Sequence, residues 1–596
     1  MNESNNGTWD VAIIGGGPAG STLSTLLLKY NPDLRVLVLE KEKFPREHVG
    51  ESQLPVISGI LDEMGVWDKV EAANFPIKLG ASYTWGRNGD VWNFDFFPAE
   101  EFVDEPRPAK LEGQRRYTAF QVERAIYDDI LLRHAESMGA HVREQTMVRK
   151  VHHDGDRVTA LELDTGEMIT ARHYVDGSGH VAIMRRALGV EVEAPRALRN
   201  IAIWDYWNNA KWKVEIGVGG TRVQVRSLPY GWIWFIPLSP TRASVGFICP
   251  TDYYKNRGLS PKELYHEALS QQPEIRSLLS EATSATGDQP LSTKNWSHLA
   301  QRLVGENWWL CGEAAGFADP ILAAGLTLTH GSAREVAYSI LELDRGELDP
   351  DWIKRRYDDK IRRSIRQHIR FAEYWYASNG CFTELQDYCA TIAKDAGLRL
   401  NPQQAWRWLA QGGFTNDDPR LASVGGFDIG SSRHLLERFL GRKSKFEITK
   451  FNEFRLNLAN ADMTKVGVLE NGRIMQIECY QRADRVLPLA GNYKLLVQIL
   501  EQESDIRKIY EILHAQFARA MHPEAVGAAI TGCMGNLEAM LADGWVIGSV
   551  NRKRPGWHMD VGSGRLMRPG DVADAALRER AKGTVRFFDQ PPGDPR

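Results

Sequence analysis

Cysteine is scarce in this chain. Six residues in 596 (Cys249, Cys311, Cys381, Cys389, Cys479 and Cys533) form no CxxC pair and no ligand spacing with histidine. That spacing argues against zinc or any other metal centre and predicts reduced thiols in a cytosol. An excess of one charge is also lacking: Lys+Arg 73 against Asp+Glu 77 leaves a net charge of -4, which offers no electrostatic footprint for nucleic acid. Apolar runs are short, and none is expected to approach the roughly 18 residues that cross a bilayer. The opening MNESNNGTWD is polar and lacks the apolar core of a signal peptide. Together these absences predict a cytoplasmic protein that engages no membrane.

What is present is globular: 43% hydrophobic and 25% charged residues over a length that implies about three or four domain-sized units. The chain is organised around WDVAIIGGGPAG, residues 9–20, where a short apolar strand breaks into glycines and a helix follows. Unpaired amides at such a helix start face an anion. Gly15 allows the tight turn, Gly17 a close approach to a pyrophosphate, and Gly20 close packing of helix on strand. A second apolar strand, Val36–Leu39, ends in Glu40, where a carboxylate can bind a ribose hydroxyl. Strand, loop, helix and acid agree on a bound dinucleotide.

The next stretch, KEKFPREHVGESQLP, reads by composition as an exposed charged loop carrying Arg46, His48, Glu51 and Ser52. Its place just past Glu40 suggests that Arg46 and Ser52 line the cofactor path. Phe75–Trp85 alternates as a strand, with Ile77, Leu79, Ala81, Tyr83 and Trp85 on one face and Lys78, Gly80, Ser82 and Thr84 on the other. Spacing alone reads Lys78 as solvated; a desolvated lysine would have a lowered pKa and serve as nucleophile or proton donor. Gln121–Met138 reads as a helix with Val122, Ile126, Ile130 and Leu131 inward and Arg124 pointing elsewhere.

Three strand-like runs near 141–175 end in a second glycine turn, Asp176-Gly177-Ser178-Gly179, and His152 and His153 read as surface residues. Residues 201–249 are strand-rich with an antiparallel pattern, and at their centre Trp232 and Trp234 share one face while Ile233 and Phe235 share the other. Aromatic core packing is the ordinary explanation of such a strand. Asn307–Cys311 forms another strand, followed by the small-residue turn GEAAGFADPILAAGLT and a helix beginning near Ala324. Helices are expected over 332–343 and 350–378, the second rich in aromatics (Phe371, Tyr374, Trp375, Tyr376), with connections at 412–430 and 441–445. Three further helices, 493–503, 506–517 and 524–541, suit a winged-helix-like bundle, and the tail beyond Arg554 is rich in Pro, Gly, Asp and Arg.

Over about residues 11–378 these stretches resemble the flavin-dependent halogenases of the phenol, pyrrole and carrier-bound aromatic branch. The marks are GGGPAG, PREHVGES, the lysine in FPIKLGASYTWG, the WxWxIP pattern at Trp232–Pro237, and GEAAGFADP. The resemblance implies an α/β fold: a Rossmann-type FAD-binding sheet of the glutathione-reductase/hydroxylase kind, an antiparallel substrate-side sheet and a helical C-terminal region. Its domains would be an FAD-binding core over 1–331, including the antiparallel sheet at about 195–250, a helical substrate-side region over 332–474, a winged-helix-like module over 475–555, and a loosely ordered tail over 556–596.

The resemblance further implies FAD, supplied reduced by a separate NAD(P)H flavin reductase, with halide as co-substrate. Hypohalous acid would reach Lys78, which passes the halogen to an aromatic small molecule or a ring tethered to a carrier protein. Trp232 and Trp234 would form a wall keeping the substrate from the flavin. Contacts to FAD would come from Gly15, Gly17, Ala19, Gly20, Glu40, Arg46, Ser52, Arg124, Val148, Gly312, Glu313, Pro320, Gly325 and Leu326, and the aromatic run 371–376 would line the substrate pocket.

Two departures stand out. Glu313 occupies a position where the family usually has aspartate. In the family's FxxPxxSxG, Phe317, Pro320 and Gly325 are in place while Ala323 replaces the serine. The missing hydroxyl favours an FAD-dependent monooxygenase or dehydrogenase on this scaffold; a third reading is a flavin-binding protein whose C-terminal helical unit docks a carrier protein or closes the pocket without chemistry of its own.

Overall fold

The computed structural model describes residues 8–84, 91–95, 97, 99–103, 105–195, 198–213, 219–378, 423–424, 427–428, 446–483, 485–560 and 584–592. The chain divides into two compact units, Met1–Phe382 with Asn471–Ile474, and Thr383–Glu470 with Met475–Arg596.

The first unit begins with the strand Trp9–Ile14, whose last four residues are buried, and the helix Pro18–Tyr30. Trp9–Ile14 lies inside a parallel sheet, flanked by Ala171–Asp176 on one side and Val36–Leu39 on the other, with Trp308–Leu310 and His141–Arg143 at the edges. Strands buried on both faces read as continuous apolar runs, as VAII and VLVL do here. The helices Arg124–Ser137 and Gly325–Arg345 pack against Pro18–Tyr30.

The helix Arg124–Ser137 buries a different stripe from the one its pattern predicted. Ile126 is exposed and Ile130 half-buried, while Arg124, Tyr127, Asp128, Leu131, Leu132, His134 and Ala135 face inward. An internal ion pair and buried hydrogen bonds, invisible to hydrophobic periodicity, rotate the helix: Arg124 donates to both carboxylate oxygens of Asp128 at 2.7 and 2.9 Å. His152 sits at the surface with its ring against Glu162.

A second sheet is built from Asn200–Asn208, Gly220–Leu228, Gly231–Ser239 and Arg242–Pro250. The three pairings among these four strands are antiparallel, but Gly220–Leu228 also runs parallel to Ile77–Thr84, so the sheet is mixed. Its one face carries Ile201, Ile203, Ile233, Phe235, Val245 and Phe247, which meet Leu264, Tyr265 and Ala268 of the helix Pro261–Gln271 in a dry core. That core uses Ile233 and Phe235, and leaves Trp232 and Trp234 for the opposite face. The helix expected from Ala324 starts at Gly325, seven residues before the 332–343 core of its pattern, and Pro350–Ser378 falls as read.

Among the described residues of the second unit the helices are Gly491–Leu500, Ile506–Ala520 and Pro523–Ala542. The stretch expected to be helical up to 474 contains the strands Glu453–Leu456 and Asp462–Glu470. Asp462–Glu470 joins Arg473–Arg482 and Arg485–Pro488 in a three-stranded sheet. The tail expected to be loose pairs Gly556–Asp560 with Thr584–Phe588, because Trp557 and Met559 are buried there and Trp557 Nε1 donates to Phe451 O at 2.7 Å. Contrary to the expectation of short apolar runs, Ala525–Ala542 is an 18-residue helical stretch of mean hydropathy 1.3, long and apolar enough to cross a membrane, with half of it buried within the protein. The expected connections at 412–430 and 441–445 lie outside the described residues, apart from the paired strands Ser423–Val424 and Phe427–Asp428.

Candidate active site

The glycine loop has the mechanics its sequence requires. Gly15 is left-handed at φ +101°, and a Cβ there would stand 2.5 Å from Gly177 O, so the two glycine turns touch. A Cβ on Gly20 would overlap Gly15 O, while one on Gly17 would meet only the Arg46 guanidinium. No side chain caps the helix at Gly17, and its first amides remain available to an anion beside Ala19. The Glu40 carboxylate lies within this loop, accepting from Gly16 N at 2.7 Å and Glu42 N at 2.8 Å.

Composition misjudged the loop after Glu40. Glu51, Ser52 and Gln53 are buried, because the backbone there is stitched into a small sheet: Ser52 bridges Gln121 and Gln53 N donates to Phe120 O. Arg46 pairs with Asp128 at 3.2 Å, and Arg124 also donates to Val49 O and Gly50 O, so both arginines hold this loop to one buried aspartate. Those two cations keep the Asp128 carboxyl below its ordinary range against the opposing effect of burial. The Ser52 hydroxyl is buried with no hydrogen-bond partner, which is what a binding wall awaiting a polar ligand would show.

Val148, itself buried, opens a largely exposed strand just after Thr146, whose amide donates to Glu40 O. Gly312, left-handed at φ +59°, lies against Ala19, and its amide donates to Ser332 Oγ at 2.8 Å. Glu313 faces Gly179. Behind them sits a group that sequence reasoning passed over: His330, fully buried, is bonded to Thr22 Oγ1 at 2.7 Å and to Tyr127 Oη at 2.9 Å. Burial drives its pKa down to about 3, so the ring is neutral and rivets three helices together. Only its packing against Thr22 and Tyr127, far away in sequence, could reveal that role.

Lys78 departs furthest from its sequence reading. It is 1% exposed rather than solvated, and its Nζ donates to Gln53 O at 2.7 Å. Burial alone lowers the amine from 10.5 to about 7. Its face differs too. Gly220 and Thr221 pair with Ile77 and Lys78, but Arg222 pairs with Gly80, so one residue of the lysine strand is extra at this point. Such a bulge resets the alternation of side chains. Thr221, Val223 and Val225 share a face with Trp234 through the Val225–Trp234 pair; by the shifted register Lys78 joins that face, together with Ala81 and Tyr83. The amine and both indoles therefore lie on one side of the sheet.

On that side Trp232 and Trp234 are buried with ring centroids 6.0 Å apart. Trp234 pairs across the sheet with Gly246, where a Cβ would run into the indole ring, and its Nε1 donates to Ser244 Oγ at 3.1 Å. The small-residue loop closes the site. Tyr83 Oη donates to Ile321 O at 3.1 Å, tying the lysine strand to Pro320–Leu322. Ala323 is left-handed at φ +54°, and Gly325 opens the following helix with the Phe317 ring occupying the space where a Cβ would go. Thr327, one turn into that helix and unnoticed in the sequence, has a buried hydroxyl without a partner. Tyr376 is the described side chain of the aromatic run; those of Phe371, Tyr374 and Trp375 lie outside the described residues, as does Trp85. No cluster of three metal-ligating groups occurs among the described residues.

Comparison with known proteins fits this geometry. An FAD binding domain family matches residues 8–372. A tryptophan 2-halogenase from Chondromyces crocatus is 34% identical over 57% of this chain and 62% of its own length, so that relative is spanned by less than two thirds. A 1H-pyrrole-2-carbonyl peptidyl-carrier-protein chlorinase from Pseudomonas fluorescens is 32% identical over 63% of this chain and 85% of its own. Among solved structures, the flavin-dependent halogenase CmlS shares the fold at a TM-score of 0.68 and 24% identity, covering 91% of this chain and 96% of its own. The myxobacterial chondrochloren halogenase CndH superposes at 0.57 with 27% identity, over 72% and 96%. The buried glycine cradle, the paired arginines and the unpartnered Ser52 hydroxyl suit an FAD, and the chain belongs to the flavin-dependent halogenases, a family of FAD-dependent enzymes.

Proposed function

We propose that this protein halogenates an electron-rich aromatic ring through Lys78. The observation that carries the reading is a buried amine, lowered to about 7, set by a bulge on the same face as two tryptophans. Gly15, Gly17, Ala19 and Gly20 would hold the FAD pyrophosphate, and Glu40 and Val148 the adenosine end. Arg46, Ser52 and Arg124 would line the cofactor's path, with Gly312, Glu313, Pro320, Gly325 and Leu326 around the flavin end. Reduced FAD with oxygen supplies the oxidising power that turns halide into hypohalous acid. The first amides of the helix at Gly325, with the Thr327 hydroxyl in place of the serine that Ala323 replaces, would bind the halide.

At Lys78 the neutral amine displaces water from hypohalous acid: an N–halogen bond forms and the O–halogen bond breaks. The aromatic ring then takes the halogen and releases a proton, which restores the amine. With its pKa lowered to about 7, the amine is present near neutral pH in both forms, a nucleophile when neutral and, as ammonium, a hydrogen-bond donor to the oxidant. Trp232 and Trp234 keep the organic substrate from the flavin while a small oxidant passes. The relatives named for tryptophan and for a carrier-bound pyrrole favour an electron-rich ring, free or presented by a carrier protein. The reaction would run in the cytoplasm, with electrons from a separate NAD(P)H flavin reductase.

The test is turnover with FAD, a flavin reductase, NADH and a panel of phenols and pyrroles, with and without bromide, read by product mass. A halide-dependent mass shift that disappears in Lys78→Ala, with FAD still bound, is the expected result. An added oxygen instead of halogen would favour the monooxygenase that Ala323 keeps in play, and loss of FAD in the variant would make Lys78 structural.

A further inference from the structure

A carboxyl in the small-residue loop holds the tryptophan face from behind. Asp319 is buried, and its oxygens accept from neutral groups, among them Ile321 N at 3.0 Å, Trp296 Nε1 at 3.3 Å and Tyr376 Oη at 3.1 Å. Tyr376 in turn accepts from Trp232 Nε1 at 2.7 Å. One chain of hydrogen bonds thus links the loop before Gly325, the last turn of the helix Pro350–Ser378 and the first indole of Gly231–Ser239. Burying a carboxyl is unfavourable, and here it is lifted to about 7. A loop that needed only a turn could be made without it.

We infer that Asp319 and Tyr376 are positioning residues that fix the orientation of the Trp232 indole and so set how well the tryptophan partition excludes the organic substrate. The inference rests on the halogenation reading. An indole has two flexible torsions, and in a sheet face it can tilt unless its N–H is tied. Tyr376 ties it from an element other than its own sheet, so the aperture responds to where the helix end sits. Trp234 is held differently, by Ser244 of the neighbouring strand, and does not depend on Tyr376.

The experiment replaces tryptophan with 5-fluorotryptophan in the full chain bound to FAD and records fluorine NMR. Trp232→Phe assigns the resonance of that indole. Tyr376→Phe, which keeps the ring and removes only the hydroxyl, should move or broaden this resonance while FAD affinity stays the same. In turnover the ratio of halogenated to oxygenated product should fall at least fivefold, with Lys78 still required for halogenation. Asp319→Asn, which still accepts from Tyr376, should fall between parent and Tyr376→Phe on both measures. An unmoved Trp232 resonance in Tyr376→Phe overturns the inference whatever the chemistry proves to be, and so does a moved resonance with an unchanged product ratio. A parent enzyme that yields no halogenated product removes the reading beneath it, even where the resonance moves as expected.

Discussion

Replacing Lys78 with methionine should stabilise the protein in acid and lose that advantage in base. The ammonium is moved from water into a site where only 1% of the residue is exposed and where burial is the cause of its lowered pKa. The folded amine gives up its proton near 7, the unfolded one near 10.5. Between those values the unfolded chain holds more protons, so stability rises with pH across the window, and below about 7 the whole penalty is present. At about 1.36 kcal/mol for each tenfold change in proton affinity, the gap amounts to about 5 kcal/mol. Methionine has similar length and no charge, but it leaves Gln53 O without its donor, which costs about 1–3 kcal/mol. The variant should therefore be more stable than the parent by about 2–4 kcal/mol at pH 6, and the difference should vanish or reverse by pH 10. Urea unfolding of both proteins at pH 6, 8 and 10 measures it, following the transition of the first unit because a chain of two units need not unfold in one step. A Lys78→Met protein weaker than its parent at pH 6, or a difference that ignores pH, would refute the reasoning.

Three further outcomes follow from the same geometry. Gly20→Ala places a methyl on Gly15 O, so co-purifying flavin absorbance at about 450 nm should disappear and stability drop by about 2–4 kcal/mol. Gly246→Ala drives a methyl into the Trp234 ring; FAD should stay bound while the halogenated share of product falls and the oxygenated share grows. Ala323→Ser restores a hydroxyl beside the helix start and, at about 1.5 kcal/mol for a hydrogen bond to an anion, should lower the halide concentration at half-maximal rate about tenfold. The backbone there is left-handed in either residue, so the substitution adds no new strain. A halide dependence that does not change would show that the position does not touch the anion.

The strand, glycine loop and helix at the start of the chain were legible in the sequence because their requirements are local. Gly15 and Gly20 are dictated by atoms a few residues away or in the adjacent turn, and a strand, a glycine loop and a helix announce one another in order. What stayed hidden depends on distant pairing. Glu51 and Ser52 look like surface residues until Gln121 pairs with their loop. The face of Arg124–Ser137 is turned by an ion pair between Arg124 and Asp128 that a hydrophobic pattern scores as two polar residues. His330 has no signal near it in sequence, since its partners are Thr22 and Tyr127. Lys78 failed on both burial and face, because period-two reasoning assumes an unbroken strand, and the register shift opposite Thr221–Arg222 is set by the partner.

That slip has a consequence for anyone transplanting this chemistry. Residues upstream of it are out of step with those downstream, so the same lysine on an even ladder of the same length would emerge on the opposite face, the one that carries Arg222 and Gln224, away from the indoles. Counting matters here as much as identity: an engineer who copies the amine, the tryptophans and the loops, yet pairs the strand in an unbroken register without taking out its surplus residue, would inherit a well-folded flavoprotein with its reactive nitrogen on the wrong side of the wall.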